Sequence, residues 1–200
     1  AQETVMLGLK DLAAIAAEHA AELDAEVRPF DIAGQISFPS AQPAIMGVIN
    51  LSVDSWYRES IRTSVESAVE RGIELRAQGA DIIDIGAEST LGQAERVNAE
   101  GQQQRLLPVI AELASQGVIV SAETYDAGVA KTCLEAGAKV LNLTGTADSE
   151  AIYRLAAGHQ AAVIVCYVAG DNVRDVGDIP LDDDPIPRMA DYFAREIETA

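Results

Sequence analysis

The chain has 200 residues, 48% hydrophobic and 23% charged, enough apolar material for one sizeable core and too much for a disordered chain. With 32 acidic and 14 basic residues the formal net charge is −18, which excludes the basic footprint of a nucleic-acid binder and disfavours an anionic membrane surface. No apolar run approaches the ~20 residues of a membrane span. The distant Cys133 and Cys166 form neither a disulfide framework nor a CxxC zinc knuckle, and both read as buried free thiols in a reducing cytoplasm.

The start at Ala1 has no basic n-region followed by an apolar h-region, so no secretory signal is expected there. Val5, Leu9, Leu12, Ala16 and Leu23, with Leu7 and Ile15 beside them, predict a helix over 5–24 that ends at Arg28-Pro29. His19 falls on its apolar face. It reads as a packed residue, because no second ligand follows at i+4. Residues 1–30 are therefore expected to be a helix and linker, and 31–200 the main domain. A polar stretch with Gly34, Pro39 and Pro43 leads into the first strand.

A rhythm follows. Apolar, β-branched runs at 45–50, 81–85, 118–121, 139–142 and 162–168 predict five strands. Helix-length stretches at 60–78, 99–115, 126–136 and 148–157 separate them, and a last one covers 185–198. Gly79, Gly117, Gly137 and Gly158 each close a helix just before a strand, where a glycine adopts the left-handed conformation at no steric cost. Alternating strands and helices with nearly continuous apolar strands predict a parallel sheet covered by helices. A doubly wound sheet and a (β/α)8 barrel of the TIM type both fit at this stage. The first βα loop is not G-x-G-x-x-G and no P-loop occurs, which lowers a nucleotide reading. About five βα units suit an incomplete barrel, since a whole one takes ~250 residues. The chain also stops at Ala200 inside a helical pattern with no Gly or Pro stop signal, and so reads as a piece of a longer protein.

Ligands of parallel α/β folds bind at the carboxyl ends of the strands. Here these ends carry Asn50 with Ser52 and Asp54, then Asp84 running out into Glu88, Ser89 and Thr90. Glu123 and Thr124, Asn142 and Thr144, and Cys166-Tyr167 follow. Turns also collect such residues, so any one of them could be there for local structure alone. The set says more: it is mostly acceptors, without Lys or Arg. It suits a neutral heterocycle rich in N–H donors, or Mg²⁺, better than a bare phosphate. No G-x-S-x-G or H-E-x-x-H occurs, and the second of only two histidines, His159, is expected on the opposite face, so a Ser-His-Asp triad or a multi-histidine metal centre is not supported.

Two long segments resemble the dihydropteroate synthase family of pterin-binding (β/α)8 barrels. Met46-Gly47-Val48-Ile49-Asn50-Leu51-Ser52-Val53-Asp54-Ser55-Trp56 is similar to M-G-I-L-N-x-T-P-D-S-F, and Gly79-Ala80-Asp81-Ile82-Ile83-Asp84-Ile85-Gly86-Ala87-Glu88-Ser89-Thr90 to G-A-D-I-I-D-x-G-G-E-S-T. Ser121-Ala122-Glu123-Thr124 stands where the family has S-V-D-T, and Gly137-Ala138-Lys139-Val140-Leu141-Asn142 where it has G-A-x-I-I-N-D. The resemblance implies that Asn50 lies near a Mg²⁺ ion and the pyrophosphate of a pterin substrate. It places Asp54 and Ser55 on a mobile loop that closes over the reaction, Glu88 and Thr90 on the substrate side of the second loop, and Glu123 and Asn142 on the pterin ring. The implied reaction condenses a dihydropterin pyrophosphate with para-aminobenzoate, a transferase step of folate biosynthesis.

The sequence also departs from the family pattern. Glu123 replaces an Asp, Val53 a Pro, Leu91-Gly92 an Arg-Pro, Leu143 an Asp, and Cys166-Tyr167 a His-Met pair. A methyltetrahydrofolate-binding methyltransferase domain and a catalytically impaired pterin-binding homologue stay open as alternatives. The expected partner is a small-molecule pterin, with no nucleic acid and no membrane, and a homodimer stays open. The five strands are expected to lie parallel in sequence order, with Asn50, Glu88, Glu123 and Asn142 on one rim.

Overall fold

The structure is a computed structural model that describes residues 8–20, 26, 28–54, 58–174 and 185–200. Helix α1 (Leu9–Glu18) comes first, then a hairpin of β1 (Phe30–Ile32) and β2 (Ile36–Phe38). Alternating units follow: β3 (Met46–Asn50), α2 (Val65–Ala77), β4 (Ile82–Gly86), α3 (Ala99–Ser115), β5 (Ile119–Thr124), α4 (Ala127–Glu135), β6 (Val140–Leu143), α5 (Ser149–Gly158), β7 (Ala162–Val165) and α6 (Ile186–Thr199).

Local chemistry sets the helix ends. Ser64, Asn98 and Asp126 are N-caps whose side chains accept from the amides of Ser67, Gly101 and Val129. Gly79, Gly117 and Gly137 close α2, α3 and α4 with positive φ, as their places before strands predict. The fourth expected stop differs. Gly158 is the last helical residue of α5, and Gln160, at φ 52°, makes the left-handed turn instead.

Strands β3 to β7 form one sheet in the order β3-β4-β5-β6-β7, parallel throughout. A doubly wound sheet reverses its strand order at a switch point. No reversal occurs here, so the five units form an arc of barrel wall. Alternation along each strand divides the two faces. Ile49, Ile83, Ile85, Val120 and Leu141 face the helices and pack with Leu106, Ile110, Leu113, Val129 and Ile152 into the main core. On the other face, Ile82, Ile119 and Val140 form a second cluster with Ile32 of the hairpin, while Ile36 and Phe38 pack against it. The hairpin thus covers the sheet near the amino ends of its strands and leaves the carboxyl ends uncovered.

Three expectations need correction. The residues expected as a polar lead-in form the hairpin, whose three-residue strands are too short to show a period of two. The helix expected over 5–24 is described as Leu9–Glu18 with no buried residue; residues 1–7, 21–25 and 27 lie outside the described set. Its apolar face is open, with Leu9 86% exposed. The last strand ends at Val165 rather than at residue 168. Among the described residues, no helix is long and apolar enough to cross a membrane.

Candidate active site

The register places the candidate residues side by side. Asn50 pairs with Gly86, Gly86 with Glu123, and Glu123 with Asn142, so these four lie in one layer across β3 to β6. One step deeper on the same face lie Val48, Asp84, Ser121 and Val140. The odd-even alternation of each strand thus turns the polar residues of the carboxyl ends to the concave side, while their neighbours Ile49, Ile85 and Ala122 enter the core.

Hydrogen bonds fix most of this layer. Ser121 Oγ donates to Asp84 Oδ1 at 2.6 Å, and Asn142 Nδ2 donates to Asp84 Oδ2 at 3.2 Å. Cys166 Sγ donates to Asn142 Oδ1 at 3.3 Å. Asp84 therefore orients the Asn142 amide, and Cys166 is half-buried rather than buried and belongs with the strand-end site residues. Cys133 is fully buried in the main core, and burial pushes its thiol up to about 12. On the other side, Asn50 Nδ2 donates to Ser60 Oγ at 2.6 Å. A Cβ on Gly86 would lie 3.6 Å from Asn50 Oδ1 and would collide with Glu123 Oε2. The Glu123 carboxyl therefore lies across the bare backbone of Gly86, reaching toward Asn50. The extra methylene of Glu relative to Asp is accommodated in that gap.

Burial raises the pKa of Asp84, and its two hydrogen-bond donors partly offset this. Glu123 is pushed up to about 8, first by burial and then by the like charges of Asp84 and Glu88. A hydrogen bond from Thr144 partly offsets the rise at Glu123, and the like charges of Asp84 and Glu123 on one face disfavour ionisation of both together. Glu123 does not cap the following helix: Asp126 Oδ1 caps α4 by accepting from Val129 N at 2.8 Å.

The loops around the layer are tied together. Ser89 Oγ donates to the Asp54 carbonyl at 2.9 Å, linking the loops after β4 and β3. Glu88 departs from its expected role facing substrate. Its side chain is 8% exposed, and its carboxylate accepts from Val97 N at 2.9 Å and from Tyr125 OH at 2.5 Å, with Arg174 Nη1 3.3 Å away. This turns Glu88 into the loops. Tyr125 is pushed up to about 12, by burial first and by Glu88 second. Asp54 and Thr90 are exposed on the rim, and Ser55 lies outside the described residues. His159 caps α5 ahead of β7, at the opposite end from the layer, as expected. A groove of about 590 Å³ between the loop after β3 and the start of α3 borders Asp54 and includes Arg96 and Arg105.

From the sequence Asp84 reads only as one of the polar strand-end residues, without a role, and Ser121 and Arg174 are given no role either. Counting in twos back from Gly86 would have found Asp84, and back from Glu123, Ser121. Arg174 lies in no motif and is found only in three dimensions.

Among the described residues, no cluster of three or more His, Cys, Asp or Glu could hold a metal by protein ligands alone. The donor set suits Mg²⁺ in another way. The ion commonly takes one or two protein oxygens and completes its shell with substrate phosphates and water, and Asn50 offers one amide oxygen on the concave side.

The profile of the family described as "Pterin binding enzyme" matches residues 46–200. The chain belongs to the pterin-binding enzyme family. A probable bifunctional folylpolyglutamate synthase/dihydropteroate synthase of Halobacterium salinarum is 38% identical over 125 residues, covering 62% of this chain and 15% of that protein. The dihydropteroate synthase of Synechocystis is 30% identical over 163 residues, covering 78% of this chain and 54% of that protein. The structure of Xanthomonas albilineans dihydropteroate synthase with 4-aminobenzoic acid superposes with a TM-score of 0.68 at 29% identity, covering 84% of this chain and 59% of that one. This pterin-binding chain therefore spans about half the length, or less, of these curated relatives, in keeping with five units of a (β/α)8 barrel.

Proposed function

We propose that this chain is the pterin-recognising part of a dihydropteroate synthase-type enzyme, which joins a dihydropterin pyrophosphate to para-aminobenzoate in folate biosynthesis. The observation that carries this reading is the single layer of Asn50, Gly86, Glu123 and Asn142, backed by Asp84. A pterin edge presents adjacent N–H donors. The Glu123 carboxyl, once ionised, accepts two of them, and Asn142, held by Asp84 and Cys166, adds an oriented amide. Asn50 lies at the other end of the layer, where the methylene pyrophosphate would extend. It would share Mg²⁺ with the pyrophosphate, and the ion would supply charge stabilisation for the leaving anion. Asp54 and Ser55 would come over the reacting centre with the loop after β3. Thr90 would contribute a hydroxyl from the rim, and Glu88 would set loop geometry rather than touch substrate. Residues 1–30 as a separate appendage, a cytoplasmic location and a homodimeric assembly belong to the same proposal.

Titration calorimetry with the dihydropterin pyrophosphate and Mg²⁺ tests the reading. Saturable binding that depends on Glu123 and Asn142 is expected. No binding at millimolar ligand overturns it, and binding of methyltetrahydrofolate in its place favours the methyltransferase-type alternative.

A further inference from the structure

Arg174 follows β7, yet its side chain crosses to the loop after β4. There its side chain is 2% exposed. Nη1 donates to the Ser89 carbonyl at 2.9 Å, and Nη2 donates to the Ala94 carbonyl. Nη1 also lies 3.3 Å from Glu88 Oε1. Glu88 holds Val97 N and Tyr125 OH, and Ser89 Oγ holds the Asp54 carbonyl. A single guanidinium thus grips the loop after β4 at two carbonyls. That loop in turn holds the loop after β3, which carries Asp54.

We propose that Arg174 is a positioning residue, a latch that sets the loops after β3 and β4 over the pyrophosphate end of the pterin site. The inference rests on the pterin reading of that site. Three observations support it. The loop after β4 runs from 87 to 98, and its one cation, Arg96, lines the groove beside Asp54, so the carbonyls of Ser89 and Ala94 are met by an arginine from another loop. Among the described residues, the side-chain partners of Arg174 are Ser89, Ala94 and Glu88, all in the loop after β4 and none in the apolar core, so the contact organises the rim rather than the fold. The planar fork matches two carbonyls and a carboxylate at once, which a lysine ammonium on a flexible stem does not reproduce. A buried arginine is retained only where such partners replace its water.

Calorimetry with two ligands tests the latch: 6-hydroxymethyl-dihydropterin, which offers the ring alone, and its pyrophosphate ester with Mg²⁺. The ring is held by Glu123 and Asn142, neither of which hydrogen-bonds Arg174 although Glu123 and Arg174 line one small cavity, while the pyrophosphate meets the loops. Arg174→Lys and Arg174→Met should each weaken the ester by roughly tenfold, equivalent to about 1.4 kcal/mol, with ring-only affinity unchanged. Hydrogen exchange at the Leu91 and Val97 amides should speed up in parallel. Equal losses for both ligands would reduce Arg174 to a fold-stabilising residue, and no loss for either would remove it. Because Arg174→Met leaves Glu88 buried and unpaired, the double variant with Glu88→Gln must give the same split between ligands. If the unsubstituted chain binds neither ligand, the pterin reading fails and exchange alone decides the latch: unchanged rates at 51–54 and 88–97 in Arg174→Met would overturn it.

Discussion

Glu123 sits in its place at a cost to the fold. Its folded pKa of about 8 lies above the ordinary glutamate value of 4.5, so the folded chain keeps a proton that the unfolded chain has lost between those pH values. Folding stability therefore falls as pH rises through that window and stays reduced above it. Glu123→Gln removes the charge, and we expect it to stabilise the ligand-free protein at pH 9 by about 2 to 4 kcal/mol and by little at pH 5, read from urea midpoints at the two pH values. The same change sets an amide donor against a ligand donor and should weaken pterin binding by roughly 2–4 kcal/mol. Opposite signs for stability and binding mark a residue kept for function. A bound pterin needs the carboxylate, so affinity should rise roughly tenfold per pH unit up to about pH 8 and then level off, with one proton released. Buffer-independent heats and a flat profile would remove Glu123 from ligand contact. Gly86→Ala should act on the same contact, because the new Cβ strikes the Glu123 carboxyl. Glu123→Asp alone should weaken binding by falling short of the gap over Gly86, yet recover part of the loss when combined with Gly86→Ala, a coupling that a double-mutant cycle measures. Asn50, Glu123 and Asn142 were legible because they end apolar runs. Asp84 was harder to see because it sits inside one, flanked by Ile83 and Ile85, where only the period of two shows that it faces the other way.

The strands and the helices between them follow from punctuation and period, and the caps Ser64, Asn98 and Asp126 show why the helices begin where they do. The hairpin escaped because its stability comes from a surface remote in sequence. Ile32 is buried only where Ile82, Ile119 and Val140 meet it, and Phe30 stacks on Phe38 at 4.8 Å. Helix α1 shows the converse: a clear apolar spacing with no residue of the helix buried. Packing between elements also reverses a local preference at Gly72. Alanine is favoured over glycine in a helix by about 1 kcal/mol. A Cβ at Gly72 of α2 would nevertheless stand 2.8 Å from Leu113 Cδ2 of α3, and Leu113 is itself fully buried. Overpacking of this kind costs about 1–3 kcal/mol, so Gly72→Ala should be net destabilising by up to about 2 kcal/mol. A raised melting temperature for Gly72→Ala would show that α2 and α3 part easily and that the close approach is slack.

At the scale of the molecule, the arc leaves two strand edges. Among the described residues, β3 and β7 each pair with one neighbouring strand only, apart from the single bridge between Asn50 and Ile61. The inner face near β3 is open as well, with Met46 38% and Val48 39% exposed where a closed barrel is filled by side chains. Parallel strands are ordinarily buried on both faces, and an unpaired edge is a template for another chain. The 200-residue chain alone is therefore expected to melt broadly and to associate through these edges. Its net charge of −18 opposes contact between copies. The Debye length falls from about 30 Å at 0.01 M salt to about 8 Å at 0.15 M, so association should be weak in dilute buffer and grow as salt is added. Light scattering against ionic strength separates this from association through acidic surfaces bridged by cations, which monovalent salt would weaken. A monomer of 21.1 kDa that persists at 0.5 M NaCl, with a sharp and reversible thermal transition, would mean that the arc is self-sufficient and its edges are protected.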